Sequence, residues 1–247
     1  MTASTTELVI DFTAHIYPED AFPESPLQHK SRDFIGPIIT DPETYVETYD
    51  AAGIDRAVLS QPAYMGHGDA DAVAVANDAL LDLVGNYDRF YGLAAIPVAA
   101  GGAAAAEEFE RSLENGYNGG ALETKSEGIE LTDDSLEPVF EVAERWGAPV
   151  LVHPKLQESL HPDVLDDAYA LNAVFGREAA LAESLWRVVH DGVLDHHPAL
   201  DLAYHHLGGN AARRVVHRDG RRHALVLRDR QYLIVEDGKE IHAFLLA

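Results

Sequence analysis

Six apolar runs of strand length alternate with stretches of helical character over the first 212 residues, and this alternation restricts the fold more than any other feature. The runs are Leu8–Phe12 (LVIDF), Arg56–Pro62 (RAVLSQP), Phe90–Pro97 (FYGLAAIP), Tyr117–Thr124 (YNGGALET), Pro149–Val152 and the strand opening LDLAYHHLGGN at Leu200. Between them, Asp41-Pro42 caps a helix that Gly53 stops, and further helices are predicted over Asp69–Gly85 and Ala103–Asn115. Another runs from Asp134 to Trp146, with Glu137 placed for a capping box and Gly147 as its end. A longer helical section from Pro162 to about Gly192 breaks near Gly176, and residues 21–39 read as a surface loop. Parallel strands need crossovers, and a helix between each pair supplies them. The predicted architecture is a (β/α)8 TIM-like barrel, incomplete at about six βα units; a doubly wound open sheet is the alternative. The barrel is preferred because polar residues collect at the ends of strands one, five and six, which a barrel brings to one rim.

The composition narrows the function. The 247 residues, 47% hydrophobic, suffice for a large core, and no run approaches an uninterrupted membrane span. The opening MTASTTE lacks the basic and apolar regions of a signal peptide, so a cytoplasmic location is expected. With no cysteine, a metal would be held by nitrogen and oxygen alone. A net charge of −24 argues against nucleic acid or an anionic membrane as partner, and an acidic chain with four lysines resembles the soluble proteins of halophilic microbes.

The charge changes sign along the chain. Residues 1–212 carry 37 acidic and 10 basic side chains, whereas residues 213–247 carry 5 and 8. The chain is accordingly divided into a barrel portion, 1–212, and an atypical basic tail, 213–247. Asp237-Gly238 between YLIVE and IHAFLL predicts a β-hairpin in that tail.

Three strand ends bear histidine: His15, His153 and the pair His205-His206, the last followed by Gly208-Gly209, where the backbone can turn sharply. One reading makes these histidines ordinary core and surface residues. The other makes them a cluster, since neutral imidazoles on separate rigid strands can fix a divalent ion while leaving positions open for water.

VIDFTAHIYP near the start, APVLVHP at 148–154 and GVLDHHPALDLAYHHLGG at 192–209 resemble the amidohydrolase superfamily, in particular the amidohydrolase-related branch of decarboxylases, hydratases and hydrolases. The resemblance covers roughly residues 7–212 and implies a (β/α)8 barrel with one divalent metal, commonly zinc. It implies His15 and His153 as metal ligands and His206 as the residue that activates metal-bound water or shuttles a proton. His205 receives no such role and is read as packing or supporting the ligands. Thr13 stands where the branch has the first histidine of a His-X-His pair, and the aspartate of strand eight has no counterpart. Truncation after residues 209–213 is one explanation; a variant closed by its own hairpin is the other. Lys155, two residues beyond His153, is the candidate for binding a substrate carboxylate.

The expected function is a metal-dependent lyase (decarboxylase) or hydrolase acting on a small carboxylate-bearing substrate. A catalytically impaired homologue that binds a small molecule or partner is the alternative, and a phosphoesterase fits less well because the rim has few basic residues. Exposed sheet edges of an open barrel would be covered by the hairpin or by a second copy in a homo-oligomer.

Overall fold

The computed structural model describes residues 8–24, 33, 36–155, 171, 175–206 and 208–209, together with four further strands between 215 and 244. Strand β1 (Ile10–His15) is followed by α1 (Pro42–Ala52) and β2 (Arg56–Ser60), then α2 (Ala70–Val84) and β3 (Phe90–Gly92). After Leu93 the chain resumes as β4 (Ala94–Ala95), α3 (Gly102–Asn115) and β5 (Gly120–Glu123). A two-stranded hairpin, β6 (Lys125–Ser126) and β7 (Ile129–Glu130), precedes α4 (Glu137–Trp146) and β8 (Val150–His153). Helix α5 (Arg177–His190), the short α6 (Val193–His196) and β9 (Leu202–Tyr204) complete the wall.

β1, β2 and β3 pair in parallel, as do β4, β5, β8 and β9. Leu93 N–H donates to Leu59 O (2.9 Å) and Ala94 N–H to Gly119 O (3.0 Å), so the ladder crosses the break between β3 and β4. The result is one parallel wall of six strand positions, which is the incomplete TIM-type barrel expected from the alternation.

The predicted boundaries need three corrections. β1 continues to His15 instead of ending at Phe12, and its register slips between Phe12 and Ala14. The third strand divides at Leu93. The helix expected from Asp134 begins at Glu137; residues 134–136 form a 3-10 turn capped by Asp133, whose carboxylate accepts from Ser135 N–H (2.9 Å), so Glu137 is a first-turn residue, not the far half of a capping box. The cap at Asp41 and the left-handed stops at Gly53 and Gly147 form as predicted, and Asp69 caps α2 in the same way. Residues 162–170 of the long helical section lie outside the described residues, and α5 starts directly after Gly176.

Alternation along the strands sorts the core into two clusters. Inside the wall, Phe12, Val58, Leu93, Ala95, Ala121, Leu151 and Ala203 pack together. Between wall and helices lie Leu59, Ile96, Leu122, Val152, Leu202 and Tyr204 with Leu80, Phe109, Val139, Phe140, Leu181 and Val188. Gly120 permits the close approach of α3: a Cβ there would stand 2.6 Å from the Phe109 ring and 2.7 Å from Ile96.

The tail forms a four-stranded antiparallel meander, β10 (Val215–Arg218), β11 (Arg221–Arg228), β12 (Gln231–Glu236) and β13 (Lys239–Phe244). β12 and β13 correspond to the two runs of the predicted hairpin, whose Asp237-Gly238 turn lies outside the described residues. β13 lies against both β1 and β9, the two end strands of the wall.

The approach to β9 is held by a buried histidine. His197 Nδ1 lies 2.9 Å from Glu144 Oε2 and Nε2 lies 3.1 Å from Glu137 Oε2, while Ala199 N–H donates to Glu144 Oε1 (2.8 Å). Burial pulls the imidazole pKa down, but hydrogen bonds and attraction from the two carboxylates outweigh it and raise the pKa above its usual value. Both ring nitrogens can donate only in the protonated form. This clamp therefore contributes fully below about pH 6.5 and is lost as pH rises through the elevated folded-state pKa. We expect His197→Gln to cost about 1–3 kcal/mol at pH 6 and progressively less toward pH 9, measured by denaturant unfolding across that range. An equal cost at both ends would contradict the clamp.

Candidate metal centre

The inward position two residues above the apolar interior is polar on several strands. Ser60 follows Val58, Glu123 follows Ala121, His153 follows Leu151 and His205 follows Ala203, each two residues further along. On β1 the slip after Phe12 adds one residue, so that His15 pairs level with Ser60. Three imidazoles consequently meet above the apolar layer. Ring centroids are 5.1 Å apart for His15 and His153, 5.6 Å for His15 and His205, and 4.9 Å for His153 and His205. One nitrogen of each lies within 4.8 Å of the others.

Neighbouring groups orient the rings. His153 Nδ1 is 2.8 Å from Pro154 O, an acceptor only, so Nδ1 carries the proton and Nε2 keeps its lone pair. His15 Nδ1 pairs with buried Ser60 Oγ (3.1 Å), and Tyr45 on α1 donates its hydroxyl to His15 O (2.6 Å). Tyr49, one turn on, donates to Asp11 (2.8 Å). His205 Nε2 is 3.4 Å from Thr13 Oγ1, and its buried Nδ1 has no partner among the described residues.

Burial above all, and then repulsion between neighbouring imidazoles, disfavours protonation of the cluster. The pKa of His15 falls to about 4 and that of His205 to about 3, and that of His153 lies well below the ordinary value. Near neutral pH all three are uncharged, with lone pairs available. An all-nitrogen donor set facing one point, with an orphaned buried nitrogen in it, fits a divalent transition-metal ion.

The structure brings His15 and His153 together, as the sequence motifs imply, but the third member is His205. His206 stands outside the set. Its backbone takes the left-handed conformation (φ 43°), its half-exposed ring lies 4.9 Å from that of His205, and its Nδ1 meets Glu178 Oε1 at 2.6 Å. The left-handed Gly208 and Gly209 then turn the chain; a Cβ on Gly209 would lie 2.0 Å from Glu178 O. Lys155 is near the cluster's strand end, where its Nζ is 2.6 Å from Glu123 Oε2. Thr13 faces His205. The sequence reading left His205 without a ligand role and did not identify Ser60, Tyr45 or Glu178. Alternation counted forward from Ala203 would have selected His205.

In the metal-free protein, the His15 and His205 imidazole resonances should remain those of neutral rings at pH 5, where an exposed histidine is protonated. Because their folded-state pKa values are depressed, stability should fall as pH drops from about 6.5 toward 4. NMR titration midpoints near 6.5 would contradict the buried cluster.

The amidohydrolase profile matches residues 10–237. The 2-amino-3-carboxymuconate-6-semialdehyde decarboxylase of Dictyostelium discoideum is 29% identical over 177 residues, which are 69% of this chain and 48% of that protein, so the chain spans about half the length of this relative. Among solved structures, 2,6-dihydroxybenzoate decarboxylase from Rhizobium superposes with a TM-score of 0.67 at 23% identity, over 83% of this chain and 68% of that one. The 5-carboxyvanillate decarboxylase of Novosphingobium aromaticivorans, complexed with manganese and 4-hydroxy-3-methoxy-5-nitrobenzoic acid, gives 0.70 at 22% identity, over 85% and 68%. At these identities the superpositions establish the barrel fold and its partial extent. With a profile match over most of its length, the chain belongs to the amidohydrolase family.

Proposed function

We propose that this chain is a metal-dependent lyase (decarboxylase) or hydrolase acting on a small carboxylate-bearing substrate. The observation that carries the reading is the cluster of three uncharged imidazoles on three strand ends, His153 buried and His15 and His205 partly so, one with an unpartnered nitrogen among the described residues. His15, His153 and His205 would hold the ion, with Ser60 and the Pro154 carbonyl fixing two of the rings. Nitrogen donors suit zinc, and the manganese of the carboxyvanillate decarboxylase makes that ion the second one to test. A bound divalent ion supplies Lewis-acid polarisation and a more acidic water.

His206 would transfer the proton, a role supported by its position beside His205. Glu178 accepts from Nδ1–H, which leaves Nε2 to take or give a proton. In a decarboxylation, carbon dioxide departs, the C–C bond electrons stay on the substrate carbon, and that carbon takes the Nε2 proton of a protonated His206, which solvent then restores. Lys155 is the substrate-carboxylate residue in this reading.

The impaired-homologue reading keeps one specific support: Thr13 offers a neutral hydroxyl where the family motif implies an imidazole. A salt-rich setting is supported by the acidic composition, and no described helix is long and apolar enough to cross a membrane.

Elemental analysis after dialysis should find about one zinc or manganese per chain, lost in a His15→Ala/His153→Ala variant. Ser60→Ala should weaken metal affinity by roughly 10- to 100-fold. Wild-type protein that takes up neither ion would transfer support to the impaired homologue.

A further inference from the structure

Arg177 is the first residue of α5, and the first turn of that helix is packed on the turn that follows β9. A Cβ on Gly209 would lie 2.0 Å from Glu178 O, and Glu178 Oε1 is 2.6 Å from His206 Nδ1. This brings the charge of Arg177 within electrostatic reach of His15 in the cluster. The other arginines and lysines whose side chains are described each donate to a carboxylate or a carbonyl. Arg177 makes no hydrogen bond or ion pair among the described residues, and its half-buried guanidinium has lost part of its water. Burial accordingly pulls its pKa below the ordinary arginine value, against the attraction of Glu178. Taking water from a cation without supplying an acceptor is costly, and a planar carboxylate that accepts two parallel N–H bonds from the fork offsets that cost. Lys155 differs: its Nζ is 2.6 Å from Glu123 Oε2 and its side chain is 11% exposed, so an incoming anion meets it with a carboxylate already beside it.

We infer that Arg177 is a further substrate-binding residue: its guanidinium forks onto a carboxylate of a small ligand held beside the metal centre. The divalent ion proposed on His15, His153 and His205 and the guanidinium repel each other, and an anion lying between them is attracted by both. That arrangement favours a carboxylate over a neutral group of the same shape, and arginine over lysine for its two-bonded geometry. The inference rests on the proposed reading of this site as one for a carboxylate-bearing substrate, and it supplies a cation that recognises that group without giving up a partner.

Benzoate and its neutral isostere benzamide serve as probes, titrated by calorimetry into wild type, Arg177→Gln and Arg177→Lys, each with and without manganese, with manganese uptake measured separately. Wild type should prefer benzoate. Arg177→Gln should lose roughly 10- to 100-fold in benzoate affinity, with benzamide binding unchanged and manganese taken up at least as well as by wild type. Arg177→Lys keeps the charge without the fork and should fall between the two. The Arg177 Nε–H resonance of wild type, assigned by its absence from Arg177→Lys, should shift on adding benzoate and stay in place on adding benzamide, which decides the matter if Arg177→Gln does not fold. A folded Arg177→Gln with wild-type affinity for benzoate overturns the inference, as does an equal loss of both probes or a resonance that benzoate does not move. Wild type that binds no benzoate overturns the carboxylate reading and the inference with it, whereas benzoate binding indifferent to Arg177 overturns the inference alone.

Discussion

Desolvation of three imidazoles is the constraint on which the site depends. Alternation along parallel strands directs His153 and His205 into the barrel above Leu151 and Ala203, and the slip after Phe12 brings His15 to the same level. In that position protonation is opposed by burial and by the neighbouring rings, so each histidine stays neutral. The apolar layer beneath, with the small side chains of Ala95, Ala121 and Ala203, forms a dry floor for the cluster. Packing of the interior and availability of donor lone pairs thus have the same physical origin.

Support for the cluster comes from elements far apart in sequence. Tyr45 on α1 fixes the His15 carbonyl, Ser60 at the end of β2 fixes its ring, and the His197 clamp ties the approach to β9 to helix α4. At the two ends of the wall, β1 and β9 would otherwise present unpaired backbone, and β13 lies against both. The position of the tail is consistent with that need.

Much of the fold was legible in the sequence because local rules coincide with the global arrangement. Aspartate caps, glycine stops and apolar runs locate most elements within a few residues. The slip in β1 was hidden because hydropathy does not register one inserted residue, and β10, the first strand of the tail, was hidden in an arginine-rich stretch. In the site, His15 and His153 were legible from motifs at strand ends. His205, read from the motif as packing or support, was not legible as a member of the cluster because the motif counts back from Gly208-Gly209, whereas side-chain direction is set by the strand before it. Ser60, Tyr45 and Glu178 carry no sequence signature, since their roles arise only when distant segments meet. Tyr45 and Tyr49 are buried, and their hydroxyls also bind β1.

The identity of the third nitrogen is the central claim, and X-ray absorption at the metal edge of the loaded protein tests it most directly. The account predicts a first coordination shell with three imidazoles, reduced to two in His205→Phe and unchanged in His206→Phe. Loss of an imidazole on replacing His206, with the shell intact on replacing His205, would contradict it.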